Sequence, residues 1–262
     1  MGVEADVRVL PDAEAVARSA AELFAQSAVA AIEARRRFNV ALAGGSTPKA
    51  MYELLAGGTV GRSVHWPKVR VYFSDERCVP PDHADSNYRL ANETLLEHVN
   101  VCSNCIHRIP AELAPEKAAD EYERLLRDRF DDPPDRFDLV LLGMGRDGHT
   151  ASLFPGSEAL GERERWCVAN YVPTLCVHRI TLTYPILNAA RRVVFCVTGG
   201  NKADTVRSLL TNPVDVVQRP AHGIQPTDGE LIWLIDQAAA SLLPPDNPPD
   251  SPLGKGGQRG VA

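Results

Sequence analysis

The chain has 262 residues and a formal net charge of −6, with 44% hydrophobic and 24% charged residues. This composition supplies an ordinary globular core, and its acidic balance argues against a nucleic-acid partner, which needs a basic face. No apolar run approaches the roughly 18 residues of a membrane span, and Met1–Asp6 lacks the charged-then-apolar pattern of a signal peptide. We therefore predict a cytoplasmic protein that acts without nucleic acid or membrane.

The six cysteines are too sparse for a disulfide scaffold in a chain of this length. Cys102 and Cys105 form a C-x-x-C, and His107 lies close behind them. A zinc site would need a second pair at matching spacing, and none is convincing. We expect free thiols and no metal site.

The first elements along the chain place a glycine-rich turn between a strand and a helix. Residues 11–37 have the 3.6-residue apolar period of a long helix, and residues 38–43 form a first core strand. Gly44-Gly45-Ser46-Thr47-Pro48 follows, before a helical pattern over 49–55. Pro48 suits a first helical position. The helix start and its dipole direct several N–H groups at one point, as a phosphate site requires.

This turn has two interpretations, a phosphate cradle and an ordinary N-capped turn. The G-x-x-x-x-G-K-[ST] spacing of a P-loop is absent. A single phosphomonoester is therefore a better ligand than a nucleoside triphosphate.

The rest of the chain alternates between strands and helices. We predict strands over 69–73, 106–109, 137–142, 178–183, 192–197 and 231–235. We predict helices over 86–99, 115–130, 184–190, 203–210 and 236–243. This alternation predicts a single α/β domain over 1–243, a mainly parallel sheet with helices on both faces. Residues 244–262 are rich in proline and glycine, and we predict a disordered tail there.

Three of the predicted strands end in polar residues. Residues 69–73 lead into Ser74-Asp75-Glu76-Arg77, where three charges indicate either a site or a solvated loop. Residues 192–197 lead into Thr198-Gly199-Gly200-Asn201-Lys202. A lysine at a helix start can present its amine to an anion, although a surface lysine with a packed stem fits the sequence equally well.

The third of these strands, residues 137–142, opens the stretch 137–155, around which the chain is organised. An apolar strand is followed by Gly143, Gly145 and Gly148, with Asp147 and His149 among them. Open α/β sheets bind ligands at the carboxyl ends of their strands. We therefore favour a site that contains an acid and a histidine.

The same glycines also spell G-x-G-x-x-G, the dinucleotide-binding fingerprint, which requires a sizeable helix next. Pro155 and Gly156 would stop such a helix early. A glycine-rich turn with solvated charges is the other alternative. We favour the acid–histidine site over both.

Together these motifs resemble the 6-phosphogluconolactonase family over about residues 10–243. The resemblance rests on the 44–48 turn, Ser74–Arg77, residues 143–155, and Arg179-Ile-Thr-Leu-Thr183 with Lys202. It implies a Rossmann-like α/β fold shared with glucosamine-6-phosphate deaminase. It also implies hydrolysis of 6-phosphoglucono-1,5-lactone in the oxidative pentose phosphate pathway, with no cofactor.

The resemblance also implies residue roles. His149 is the general base with Asp147 beside it, and Arg77 lies in the lactone pocket with Asp75 and Gly145 as sugar contacts. The phosphate site consists of Gly44, Gly45, Ser46, Thr47, Arg179 and Lys202. These assignments agree with the chemistry of the residues, because an unperturbed histidine takes a proton from water near neutral pH. The expected partner is a small sugar phosphate, and the expected assembly is a monomer or small homo-oligomer.

Two alternatives remain at this point. In the related deaminases, a glutamate five residues after the histidine helps to open the sugar ring, and here that position is Phe154. Phe154 cannot transfer a proton, so we favour the lactonase. A non-catalytic sugar-phosphate sensor would keep the phosphate cradle and lose the base, and the presence of both Asp147 and His149 counts against it.

Overall fold

The structure is a computed structural model and describes residues 4–130 and 136–244. Its strands are β1 Ala5–Leu10, β2 Phe38–Leu42, β3 Val69–Phe73, β4 Asp75–Arg77, β5 Leu139–Leu142, β6 Cys167–Val172, β7 Val177–Leu182, β8 Arg192–Val197 and β9 Glu230–Asp236. Its helices are α1 Ala13–Arg35, α2 Ser46–Gly57, α3 Asn87–Thr94, α4 Pro115–Arg129, α5 Tyr184–Asn188 and α6 Ala203–Thr211.

Six strands form one parallel sheet in the order β1-β9-β8-β5-β2-β3. Strands β2 and β5 are buried along their whole length, as expected for a parallel sheet covered by other elements. Because all six strands run the same way, the loops after β2, β5 and β8 emerge at one edge. The predicted α/β fold with a mainly parallel sheet is confirmed.

A second, antiparallel sheet of three strands in the order β4-β7-β6 was not predicted. Strand β6 was missed because Asn170, a buried amide, interrupts its apolar pattern. That amide donates to the Ser152 carbonyl at 2.8 Å and to Ser157 Oγ at 3.0 Å. The sheet sets β4, which contains two of the predicted site residues, against β7, which contains a third.

Other elements also differ from the predictions. Strand β1 was missed because it lies at the edge of the sheet and carries Asp6 and Arg8 among its apolar residues. Residues 106–109 make only an isolated bridge, from Ile106 to Val71. The helix expected over 86–99 ends at Thr94, and a separate turn follows it.

The helix expected over 236–243 is a series of turns. Two prolines follow directly, and proline lacks the N–H that a helix needs to continue. Of the predicted tail, only Pro244 is described, so the prediction of disorder lies outside the described residues. Within the described ranges, no helix is both long and apolar enough to cross a membrane.

Candidate active site

The loops that follow β2, β5 and β8 surround one cavity, together with β4. Its lining includes the Gly44–Pro48 turn, Asp75, Arg77, His149 and Lys202. A second hollow, lined by Arg146, Asp147, Phe154 and Arg179, shares Asp75, Arg77, His149 and Ala151 with the first. The residues predicted from separate parts of the sequence thus surround two adjoining compartments.

The phosphate cradle is the start of α2. The helix begins at Ser46, so Pro48 is its third residue and not its first. Lys49 donates the first intrahelical bond, to the Gly45 carbonyl at 3.1 Å, and the N–H groups of Ser46 and Thr47 precede it. Gly45 has a φ of 108°, which disfavours any residue with a Cβ. The turn has the geometry of a helix-terminus anion site.

Lys202 approaches the same compartment from the turn after β8. Burial lowers the pKa of its ammonium, and the Asp236 carboxylate partly offsets that effect. Among the described residues, no carboxylate lies within ion-pair distance of Lys202. A half-buried cation without a carboxylate partner is suited to bind an anionic ligand.

Asp147 and His149 form a short pair, in which His149 lines both compartments and Asp147 lines the second. His149 Nδ1 lies 2.6 Å from Asp147 Oδ1, which also accepts the His149 N–H at 3.1 Å. Burial raises the pKa of Asp147, but the hydrogen bonds from His149 and its charge outweigh that effect and leave the pKa below its usual value. An ionised carboxylate only accepts hydrogen bonds, so Asp147 favours the tautomer in which the His149 proton lies on Nδ1 and Nε2 is left as the acceptor.

Two neighbours fix the His149 ring in place. The Phe154 ring stacks on it, with centroids 4.1 Å apart and planes 20° from parallel. On another side lies Gly145, where a Cβ would be 2.1 Å from His149 Nδ1. Any larger residue at position 145 would displace the imidazole. Gly145 therefore serves the geometry of His149 as well as being a candidate sugar contact.

Arg77 and Arg179 lie directly opposite each other on β4 and β7. Burial and the positive charge of Arg77 lower the pKa of Arg179. Arg77 Nη1 donates to the Asp85 carbonyl at 2.6 Å. Arg179 lines the compartment next to His149 and does not line the one that contains the cradle and Lys202. Its role in phosphate binding remains a prediction.

Asp75 is buried, lines both compartments and is held by several hydrogen bonds. Ser152 Oγ donates to its Oδ2 at 2.7 Å, and Asn87 Nδ2 donates to its carbonyl at 2.9 Å. Asn87 also lines the cavity, and a Cβ on Gly44 would lie 1.9 Å from its Oδ1. The sequence gives no local signal for Asn87, because only the tertiary fold brings it to the cradle.

Glu76, the second of the three charges after β3, lines neither compartment and is not solvated. Its buried carboxylate accepts hydrogen bonds at the start of α3, from the N–H groups of Asn87 at 2.7 Å and Tyr88 at 2.8 Å and from Ser86 Oγ at 3.0 Å. Burial raises its pKa against the effect of these bonds. Glu76 thus joins β4 to α3 and shapes the site indirectly.

Cys102 and Cys105 lie in a turn that does not line the cavity. All six cysteines are free thiols, as predicted. Across the described ranges, no group of three or more His, Cys, Asp or Glu side chains is arranged to hold a metal ion.

A family model described as glucosamine-6-phosphate isomerases/6-phosphogluconolactonase matches residues 11–233. The chain belongs to this family. It is 41% identical over 241 residues to a Nostoc sp. protein named 6-phosphogluconolactonase, an alignment that covers 90% of this chain and 98% of the relative.

Solved structures share the fold. The 6-phosphogluconolactonase from Trypanosoma cruzi has a TM-score of 0.82 at 28% identity, covering 93% of this chain and 98% of that one. A monomeric glucosamine-6-phosphate deaminase has a TM-score of 0.76 at 22% identity, covering 90% of this chain and 99% of that one. The family expected from the motifs is confirmed, but a fold common to both enzymes does not select between their reactions.

Proposed function

We propose that this protein hydrolyses 6-phospho-D-glucono-1,5-lactone to 6-phospho-D-gluconate. The observation that carries this proposal is the sharing of one cavity by an anion cradle, Lys202 and His149, whose ring nitrogen pairs with Asp147 in the adjoining compartment. A relative named 6-phosphogluconolactonase that is 41% identical over most of the chain supports the same reaction.

In this mechanism the phosphate binds the N–H groups at the start of α2 and the Lys202 ammonium. These contacts are remote from the reacting carbon, so their binding energy serves to orient the lactone. The lactone carbonyl then lies near His149. Arg77 and the amides of the glycine turn are the candidates to stabilise the oxyanion.

Hydrolysis needs no covalent intermediate, because a lactone is an activated ester. His149 Nε2 takes a proton from water as the water oxygen attacks the carbonyl carbon. The tetrahedral intermediate then collapses, the ring oxygen leaves, and the proton on His149 passes to that oxygen. Asp147 holds the imidazole in the required tautomer and stabilises its charged form.

The deaminase alternative requires a proton carrier where this chain has Phe154. The structure stacks that phenyl ring on His149, so the position is filled by hydrocarbon in contact with the proposed base. This contact favours the lactonase. Because a deaminase shares the fold, deamination of glucosamine 6-phosphate is the control reaction.

The test is an assay of freshly prepared 6-phosphogluconolactone with and without the protein, beside glucosamine 6-phosphate. We expect the lactone to open far faster than its uncatalysed rate, with no release of ammonia from the amino sugar. Ammonia release would establish the deaminase. Binding of the lactone without turnover would establish a sensor.

A further inference from the structure

The loop that contains Asp147 and His149 is held from outside by hydrogen bonds to three successive carbonyl groups. The bonds run from Thr205 Oγ1 to Arg146, from Arg219 Nη1 to Asp147 at 3.4 Å and from the Ala221 N–H to Gly148 at 2.9 Å. None of these three donors lines either compartment of the cavity. They fix the loop without contacting a ligand in the cavity.

Thr205 differs from the other two donors in its position. It lies in the first turn of α6, three residues after Lys202, the N-cap residue that directly precedes that helix. Thr205 is buried, with 4% of its surface exposed, so water cannot replace its hydroxyl at the Arg146 carbonyl. One helical turn thus contains both the proposed phosphate-binding lysine and the hydroxyl that holds the catalytic loop.

The Lys202 turn is itself anchored on two other sides. The Gly199 N–H donates to both carboxylate oxygens of Asp236 at 3.0 Å, which ties the turn to β9. Thr198 Oγ1 lies 2.9 Å from Thr47 Oγ1, which ties it to the cradle. The position of the Lys202 turn is therefore fixed by β9 and the cradle. The hydrogen bond from Thr205 to Arg146 links the loop after β5 to that turn.

From this arrangement we propose that Thr205 is a positioning residue that sets the separation between Lys202 and His149. The inference rests on the proposed function, since it concerns the same cavity and reaction. A phosphate bound at the Lys202 turn places the lactone carbonyl carbon at a fixed distance from His149, at which a water activated by His149 can attack it. The hydrogen bond from Thr205 maintains that distance. Small displacements from such a geometry are costly, and an error of about 1 Å can cost about a hundredfold in rate.

The experiment compares Thr205→Val, which keeps the shape and removes the hydroxyl, with Thr205→Ser, which keeps the hydroxyl. Each is assayed on 6-phosphogluconolactone and on the unphosphorylated gluconolactone. For Thr205→Val we expect kcat on the phosphorylated lactone to fall by about 10- to 100-fold with little change in KM. The kcat on the unphosphorylated lactone should fall less, because this substrate has no phosphate through which the Lys202 turn could position it. Thr205→Ser should restore the wild-type preference.

The outcomes separate this inference from the proposed function. A wild-type protein that does not hydrolyse the phosphorylated lactone overturns the proposed function. An active wild type, with a folded Thr205→Val variant that keeps kcat and the preference for the phosphorylated substrate, overturns the role of Thr205. Equal losses on both substrates would show a merely structural role and overturn it too.

If Thr205→Val does not fold, Thr205→Cys serves in the same assays. It keeps a polar side chain of similar size with a much weaker donor. The same split between the two substrates is expected, and the same equal losses would contradict the inference.

Discussion

The two edges of the parallel sheet differ in whether their cationic side chains have a carboxylate partner. At the amino edge, Asp138 lies buried just before β5 and accepts bonds from Arg35 Nη2 at 2.7 Å and the Asn39 N–H at 2.8 Å. Arg191 approaches the same carboxylate at 3.5 Å. At the carboxyl edge, Lys202 has no ion-pair partner among the described residues. We call the amino edge complete because its cations share a carboxylate partner. The carboxyl edge is incomplete because Lys202 lacks such a partner, and an anionic ligand can supply it.

This difference gives a physical criterion for the site. Burial raises the pKa of Asp138, so its carboxylate depends on its cationic partners. Burial lowers the pKa of Lys202, so its ammonium is held at a cost to the fold. Removing a cation should therefore destabilise the protein at the amino edge and impair ligand binding at the carboxyl edge.

The largest effect is expected for His149→Asn. Loss of a general base typically costs about 10²- to 10⁴-fold, so kcat should fall at least about a hundredfold while the melting temperature stays near that of the wild type. Steady-state kinetics and a thermal melt check both. Near-normal turnover in a folded variant would remove His149 from the role of base.

Lys202→Met tests the incomplete edge. A lost hydrogen bond to a charged group is worth about 1.5–3 kcal/mol, which corresponds to a roughly 10- to 150-fold lower kcat/KM for the phosphorylated lactone. Unphosphorylated gluconolactone should be hydrolysed at the wild-type rate. Stability should not fall, because a buried ammonium has been removed. A similar loss on both lactones would contradict the assignment of Lys202 to the phosphate.

Arg35→Met is the matched change at the complete edge. It removes two hydrogen bonds to the Asp138 carboxylate, from Nη2 at 2.7 Å and Nε at 3.0 Å. The free energy of unfolding should fall by about 1.5–3 kcal/mol in urea titrations, with kcat and KM unchanged. Lost activity without lost stability would mean that the two edges do not differ as described.

A pH titration sharpens the contrast further. The lowered pKa of Lys202 means that it loses its proton at lower pH than an ordinary lysine, whose pKa is about 10.4. Affinity for 6-phosphogluconate should therefore weaken as the pH rises toward that range. The unfolded chain still binds this proton, so the contribution to stability rises with pH in the same window. Calorimetry of the wild type against Lys202→Met isolates the effect, and identical pH profiles would contradict it.

The smallest effect is expected for deletion of residues 244–262. We predict unchanged activity and an unchanged melting temperature. A clear drop in melting temperature in a scan of the truncated chain would show that these residues pack against the fold.

The sequence was informative where one stretch of chain determines the outcome. The apolar runs of β2, β5 and β8 predicted the parallel sheet, and the glycines that follow β2 and β5 line the cavity. The acid–histidine pair was also readable, because Asp147 and His149 are two residues apart and local backbone geometry brings them together.

The rest depended on contacts between distant residues. Glu76 resembled a solvated charge or a site residue until α3 placed three donors around it. Asn87 and Thr205 carry no local signal, since their partners lie elsewhere in the chain. The pairing of β4 with β7 sets Arg179 opposite Arg77, a contact that the sequence did not predict, and the phosphate role of Arg179 stays a prediction.

The central claim is that the phosphate and the reacting carbon occupy opposite ends of one cavity. A crystal structure with bound 6-phosphogluconate tests it most directly. We expect the phosphate to lie within hydrogen-bond distance of Lys202 and the Ser46 and Thr47 amides, with the carboxylate of the product next to His149. A phosphate bound between Arg77 and Arg179, with the carboxylate in the cradle, would contradict it.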